Sequence, residues 1–111
     1  MTMLLALLPL AAQNDYYIKQ SQQYQREAEY YTKQTLRYEH EADYYNRQAR
    51  GHLKDAEYYS RRNDYDRVRA CQQRAKNATE KAESYSRKAE RTRDTARDYM
   101  RNADNALKRA R

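Results

Sequence analysis

Small residues recur at every seventh position through the first half of the chain: Ser21, Ala28, Thr35, Ala42, Ala49, Ala56 and Asn63. A second series, Tyr17, Tyr24, Tyr31, Tyr38, Tyr45, His52 and Tyr59, interleaves with it at steps of three and four. Such steps place both series on one side of an α-helix, as in a heptad whose two seam positions face a partner. We call the small position a and the tyrosine position d. In the second half the a series is Ala75, Ala82, Ala89, Ala96, Ala103 and Ala110. Three residues beyond its members lie Ala78, Tyr85, Thr92, Tyr99 and Ala106. The pattern predicts two long helices, a tyrosine-rich one over 13–61 and an alanine-rich one over 62–111. With no eleven-residue repeat, the expected supercoil is left-handed.

The residues expected at helix–helix interfaces are therefore Tyr17, Tyr24, Ala28, Tyr31, Tyr38, Ala42, Tyr45, Ala49, Ala56 and Tyr59 on the first arm. On the second they are Ala75, Ala82, Tyr85, Ala89, Ala96, Tyr99 and Ala103. Alanine at a seam lets helix backbones approach closely, at or below the usual 8–10 Å between axes. Tyr16, Tyr30, Tyr44 and Tyr58 precede the d residues and share position c, where the intervening heptads carry Gln23, Arg37 and Gly51. The repeating unit is thus two heptads, about 21 Å of helix at 1.5 Å per residue. The c tyrosines form a second, sparser aromatic stripe. It widens the apolar arc beyond what one partner helix needs, and predicts a further contact surface.

The two registers do not join. From Ala56 to Val68 is twelve residues, a step that rotates the seam by about 100–120° on a helix of 3.6 residues per turn. A straight two-stranded coil cannot keep one partner face across that step. The polar segment Ser60-Arg61-Arg62-Asn63-Asp64 lies in the gap, and Asn63 and Asp64 are good N-cap residues, with Asp66 in the following turn. Asn14 or Asp15 fits the same role for the first helix. The expected fold is all-α: a coiled-coil-like helical hairpin, with tyrosines of one arm over alanines of the other, assembling into a bundle or filament. The absence of glycine and proline at the turn favours the alternative, one long continuous or kinked helix.

Composition narrows the class. The 111 residues include 13 tyrosines, one glycine and one proline, and no phenylalanine or tryptophan. Beyond the first ten residues the large aliphatics are Ile18, Leu36, Leu53, Val68, Met100 and Leu107, too few to fill a globular core. The charge is uneven. Residues 13–70 carry 11 basic against 10 acidic side chains, whereas 71–111 carry 12 against 6, so most of the +7 lies in the second arm. That excess suits a polyanion such as nucleic acid.

The opening MTMLLALLPLAA is the only apolar run and is too short to span a membrane. It reads as a signal-like segment, placing the chain outside the cell, or as a retained apolar anchor that docks on a neighbouring subunit. Asn77-Ala78-Thr79 is an N-glycosylation triplet. The single Cys71 excludes an internal disulfide and reads as a small seam residue. His40 and His52 do not have zinc-site spacing relative to Cys71, and no phosphate loop or nucleophile motif is present. No catalytic, cofactor or metal site is expected.

The run Ala75–Arg111 resembles the alanine-zipper stems of small outer-membrane lipoproteins, without their lipid-bearing cysteine. ATEKAESYSRKAE resembles late-embryogenesis desiccation proteins, without their eleven-residue repeat. Neither resemblance assigns a family. The expected function is a non-enzymatic structural protein, self-assembling or scaffold-forming through its seams, with itself or other helical proteins as partner. The alternative is a basic helical accessory protein binding nucleic acid or another polyanion. In sequence, tyrosines and excess cations sit in different halves, which weighs against that alternative.

Overall fold

The computed structural model describes residues 9–110. They form two α-helices, α1 (Leu10–Arg61, 52 residues) and α2 (Tyr65–Ala110, 46 residues), folded back on one another as a helical hairpin. No strand occurs among the described residues. Both arms are helical as the heptads predict, and the chain turns back rather than running on as one helix. Leu10–Ala12 of the apolar opening segment belong to α1; the rest of that segment, apart from Pro9, lies outside the described residues.

The ends of the helices follow from a few side chains. α1 begins at Leu10, ahead of the caps expected at Asn14 and Asp15. Leu10, Ala11 and Ala12 are strong helix formers, and the Gln13 amide already donates to the Pro9 carbonyl at 3.0 Å. At the other end, the Asn63 amide donates to the Ser60 carbonyl and the Asp64 amide to the Tyr59 carbonyl, each at 3.1 Å. Asn63 has φ of 59°. These two bonds around a left-handed residue are a Schellman motif, which closes a helix by satisfying its last carbonyls. Asparagine tolerates that conformation better than other residues with a Cβ, so the turn needs no glycine. Asn63 thus ends α1 instead of capping α2. Asp64 is the cap: its Oδ1 accepts from the Arg67 amide at 3.4 Å and its carbonyl from the Val68 amide at 3.1 Å. Asp66 adds negative charge to the first turn of α2.

The hairpin divides into two compact units, one containing the turn (Gln34–Arg91) and one containing the chain ends, which leaves α1 at Lys33 and resumes at Thr92 on α2. In the turn unit the buried residues are Thr35, Ala42, Ala49 and Ala56 on α1 and Cys71, Ala75, Ala78, Ala82 and Ala89 on α2. In the unit of the chain ends they are Ser21 and Ala28 on α1 and Ala96, Ala103 and Ala106 on α2. The core therefore follows the a series of both arms, from Ser21 to Ala103, and takes in Cys71, Ala78 and Ala106 from the other seam position of α2. The side chains there are methyl groups, hydroxyls and one thiol. The hydroxyls are satisfied: no buried side-chain nitrogen or oxygen among the described residues lacks a hydrogen bond. Ser21 Oγ, for example, accepts from Gln25 Nε2 at 3.3 Å.

The d tyrosines Tyr17, Tyr24, Tyr31, Tyr38, Tyr45 and Tyr59 are half-buried. Within each unit one α2 tyrosine is held between two from α1. Tyr85 stacks on Tyr45, with centroids 5.8 Å apart and planes 5° apart, and meets Tyr38 at 6.2 Å. Tyr99 stacks on Tyr31 at 5.6 Å and 9°, and meets Tyr24 at 6.2 Å. Ring thus lies on ring at these positions, where alanine was expected beneath tyrosine, because Tyr85 and Tyr99 occupy the α2 position opposite d. The two stacked pairs have the same residue-number sum, so both follow one antiparallel register. Small side chains fill the a positions, and phenol meets phenol where Tyr85 and Tyr99 reach the d tyrosines of α1. Offset aromatic pairs add about 0.5–1.5 kcal/mol each beyond their buried area.

Candidate functional site

The second aromatic stripe lies where the heptad puts it. Tyr16, Tyr30, Tyr44 and Tyr58 are 43%, 56%, 48% and 50% exposed, so each remains about half open to solvent. Each is braced by the d tyrosine that follows it. Tyr16–Tyr17, Tyr30–Tyr31, Tyr44–Tyr45 and Tyr58–Tyr59 meet edge to face with centroids 5.1–5.4 Å apart and planes 77–83° apart. Consecutive residues on a helix do not share a face, and the rings meet because the phenol is long enough to lean across the intervening angle.

The stripe is embedded in a larger motif that the tyrosine spacing alone did not bring out. Residues 27–33, 41–47 and 55–61 read EAEYYTK, EADYYNR and DAEYYSR, and 13–19 reads QNDYYIK. An acidic residue precedes every doublet and a basic one follows two positions after it. Several of these charges close across the doublet as i,i+4 ion pairs: Lys19 Nζ with Asp15 at 3.1 Å, Lys33 Nζ with Glu29 at 3.5 Å, and Arg61 with Glu57 at 2.9 Å. All these side chains are well exposed, so each pair contributes at most about 0.5 kcal/mol to the helix. Their larger effect is to present charges of both signs beside each exposed ring.

Folding also brings cations of α2 onto the tyrosines of α1. In the turn unit, Lys81 Nζ sits 5.3 Å from the Tyr45 ring centroid. Lys88 Nζ sits 5.9 Å from Tyr38 and 5.0 Å from Tyr85. Nearer the turn the Arg62 guanidinium lies 3.8 Å over Tyr58 and that of Arg67 lies 5.2 Å from Tyr59. These distances are within cation–π range. The separation of ring and charge seen along the sequence is therefore removed by the hairpin. The signal for the lysines was present, since Arg74, Lys81 and Lys88 recur every seventh residue on one side of the α2 seam.

Beside Lys81 a groove of about 250 Å³ opens between the helices, lined by Tyr44, Tyr45, Gln48 and His52 from α1 and Arg74, Asn77, Ala78 and Lys81 from α2. Its lining contains no carboxylate. A neighbouring depression lined by Gln34, Arg37, Tyr38, Glu41 and Tyr85 does contain one.

Cys71 and His52 both sit on the seam. Cys71 is a buried free thiol on the seam. His52 occupies its d position half-buried, at the edge of the groove. Thr79 of the glycosylation triplet donates its hydroxyl to the Ala75 carbonyl at 2.9 Å. Among the described residues no cluster of His, Cys, Asp and Glu could hold a metal ion, and no helix is long and apolar enough to cross a membrane. The chain matches no protein-family model, no curated protein and no solved structure.

Proposed function

We propose that this chain is a non-enzymatic structural protein whose hairpin associates with further copies of itself, as a scaffold or filament subunit, through the tyrosine stripe of α1. The observation that carries this reading is the half-exposed ring at Tyr16, Tyr30, Tyr44 and Tyr58, repeated at one heptad position and flanked each time by an acid and a base. Tyrosine suits a helix interface that stays partly wet, because its ring can be covered while its hydroxyl keeps a partner. A second copy offers the same rings and both signs of charge at the same interval, about 21 Å along the helix. Contact in staggered register leaves one end of each stripe open for the next copy, and such head-to-tail interfaces continue into filaments. Seams of the a and d residues then act as coiled-coil packing inside each subunit, and the c stripe acts between subunits.

The test is the mass of the full chain in solution across a concentration series, by sedimentation or light scattering. The wild-type chain is expected to form oligomers that grow with concentration. A variant with serine at positions 16, 30, 44 and 58 is expected to stay monomeric with its helix content preserved. A wild-type chain that remains a monomer throughout the series overturns the reading.

A further inference from the structure

We propose that the groove beside Lys81 binds single-stranded nucleic acid, with Arg74 and Lys81 on the phosphates and Tyr44 as the platform on which a base stacks. This goes beyond self-association and uses the groove between the helices in the turn unit. The argument begins with what the groove lacks. Its lining carries Arg74 and Lys81 and no carboxylate. Many exposed cations elsewhere are held by an acid on their own helix, as Lys19, Lys33 and Arg61 are. Arg74 and Lys81 have no carboxylate partner among the described residues, and Lys81 is held instead over the Tyr45 ring. Beside the His52 ring, the remaining polar groups offer hydrogen-bond donors suited to an anion: phenol hydroxyls and the amides of Gln48 and Asn77. The Asn77 carbonyl oxygen already accepts from Gln73 Nε2 at 3.0 Å, which leaves its NH₂ to donate.

Two features select a nucleic-acid strand over other anions. First, the cations continue. Arg74, Lys81 and Lys88 follow one another at seven-residue steps, about 10.5 Å on a helix, which matches a linear polyanion better than a single phosphate. Second, an aromatic face is available next to them. One face of Tyr45 is taken by Tyr85, but Tyr44, whose plane is turned 80° from that of Tyr45, is 48% exposed. Single-strand binding sites combine these two elements, a cationic track and aromatic platforms that accept any base. An acidic peptide would use the cations and leave Tyr44 idle, and an anionic membrane is a flat surface that does not enter a groove.

Binding of the full-length chain to a fluorescently labelled oligothymidylate, read by anisotropy at several salt concentrations, tests the assignment. Because Tyr44 also belongs to the stripe, the titrations are run below the concentration at which the chain associates, which separates failure of this site from failure of self-association. Binding is expected, with a log–log salt slope of about −0.7 per phosphate contacted. Replacing both Arg74→Gln and Lys81→Gln should make that slope shallower by about 1.4. Tyr44→Ala should weaken binding about fivefold or more, and Tyr44→Phe should not, because a phenyl ring still stacks. Lys54→Gln with Lys76→Gln removes the same charge outside the groove lining and should change the slope less. Absence of binding, equal effects of the two charge pairs, or an unaffected Tyr44→Ala each overturn the proposal. So does equally tight, Tyr44-dependent binding of polyglutamate or of phosphatidylserine vesicles.

Discussion

Truncating Tyr85 to alanine removes the one α2 ring held between two α1 rings in the turn unit. A fully buried Phe→Ala change costs about 3–5 kcal/mol. Tyr85 is half-buried, so about 2 kcal/mol is the share expected from lost burial. Loss of its contacts with Tyr38 and Tyr45 adds about 0.5–1.5 kcal/mol for each ring pair. The total is about 3–5 kcal/mol, and at about 4–8 °C per kcal/mol for a domain of this size the melting temperature should fall by more than about 10 °C. Far-UV circular dichroism during heating and urea titration reads it, at one fixed protein concentration so that self-association does not shift the midpoint. A double-mutant cycle isolates the ring pair. Tyr45→Ala with Tyr85→Ala should show a coupling of about 1 kcal/mol. Tyr58→Ala with Tyr85→Ala should be additive within about 0.5 kcal/mol, since the Tyr58 ring packs on Tyr59 instead. A Tyr85→Ala cost below about 0.5 kcal/mol, or equal coupling in the two cycles, would refute the claim that stacked phenols hold the arms together.

Two further substitutions probe the backbone. A Cβ built on Gly51 meets nothing within 4 Å, so Gly51→Ala should raise stability by about 0.5–1 kcal/mol through helix propensity alone; a loss in urea titration would place an unseen neighbour there. At the turn, Asn63→Gly should be neutral or slightly stabilising. Asn63→Val should cost at least about 1–2 kcal/mol, because φ of 59° is hostile to a β-branched side chain. Equal stability of the glycine and valine variants would contradict the left-handed cap.

The seam was legible because its signal is redundant. Six alanines at one spacing from Ala75 to Ala110, and tyrosine in nearly every d position of α1, specify which side of each helix is covered whatever the partner. Reversal at the turn was harder to read. Glycine usually marks a helix end, and here one asparagine supplies the left-handed residue, so the absence of glycine kept a continuous helix open as the alternative to the hairpin. Tyr85 and Tyr99 on Tyr45 and Tyr31 could not be read from either arm alone, since opposing residues follow from the register that the turn sets. The same holds for Lys81 over Tyr45. Charge and ring lie 36 positions apart in the chain, and only an antiparallel return of known register makes them neighbours. The acid–doublet–base motif, by contrast, was fully present in the sequence. It is found by reading the positions flanking each tyrosine pair rather than the pair itself.

A core made of methyl groups, hydroxyls and a single thiol exposes little hydrocarbon when it opens. The heat capacity of unfolding tracks the apolar area released, and phenol hydroxyls and helix backbone offset part of it. The stability curve of the hairpin is therefore shallower than that of a leucine-packed domain of equal length. Its arms gain little at an optimum temperature and lose little on chilling, so the fold holds with nearly even strength across warm and cold rather than being tuned to a single warmth.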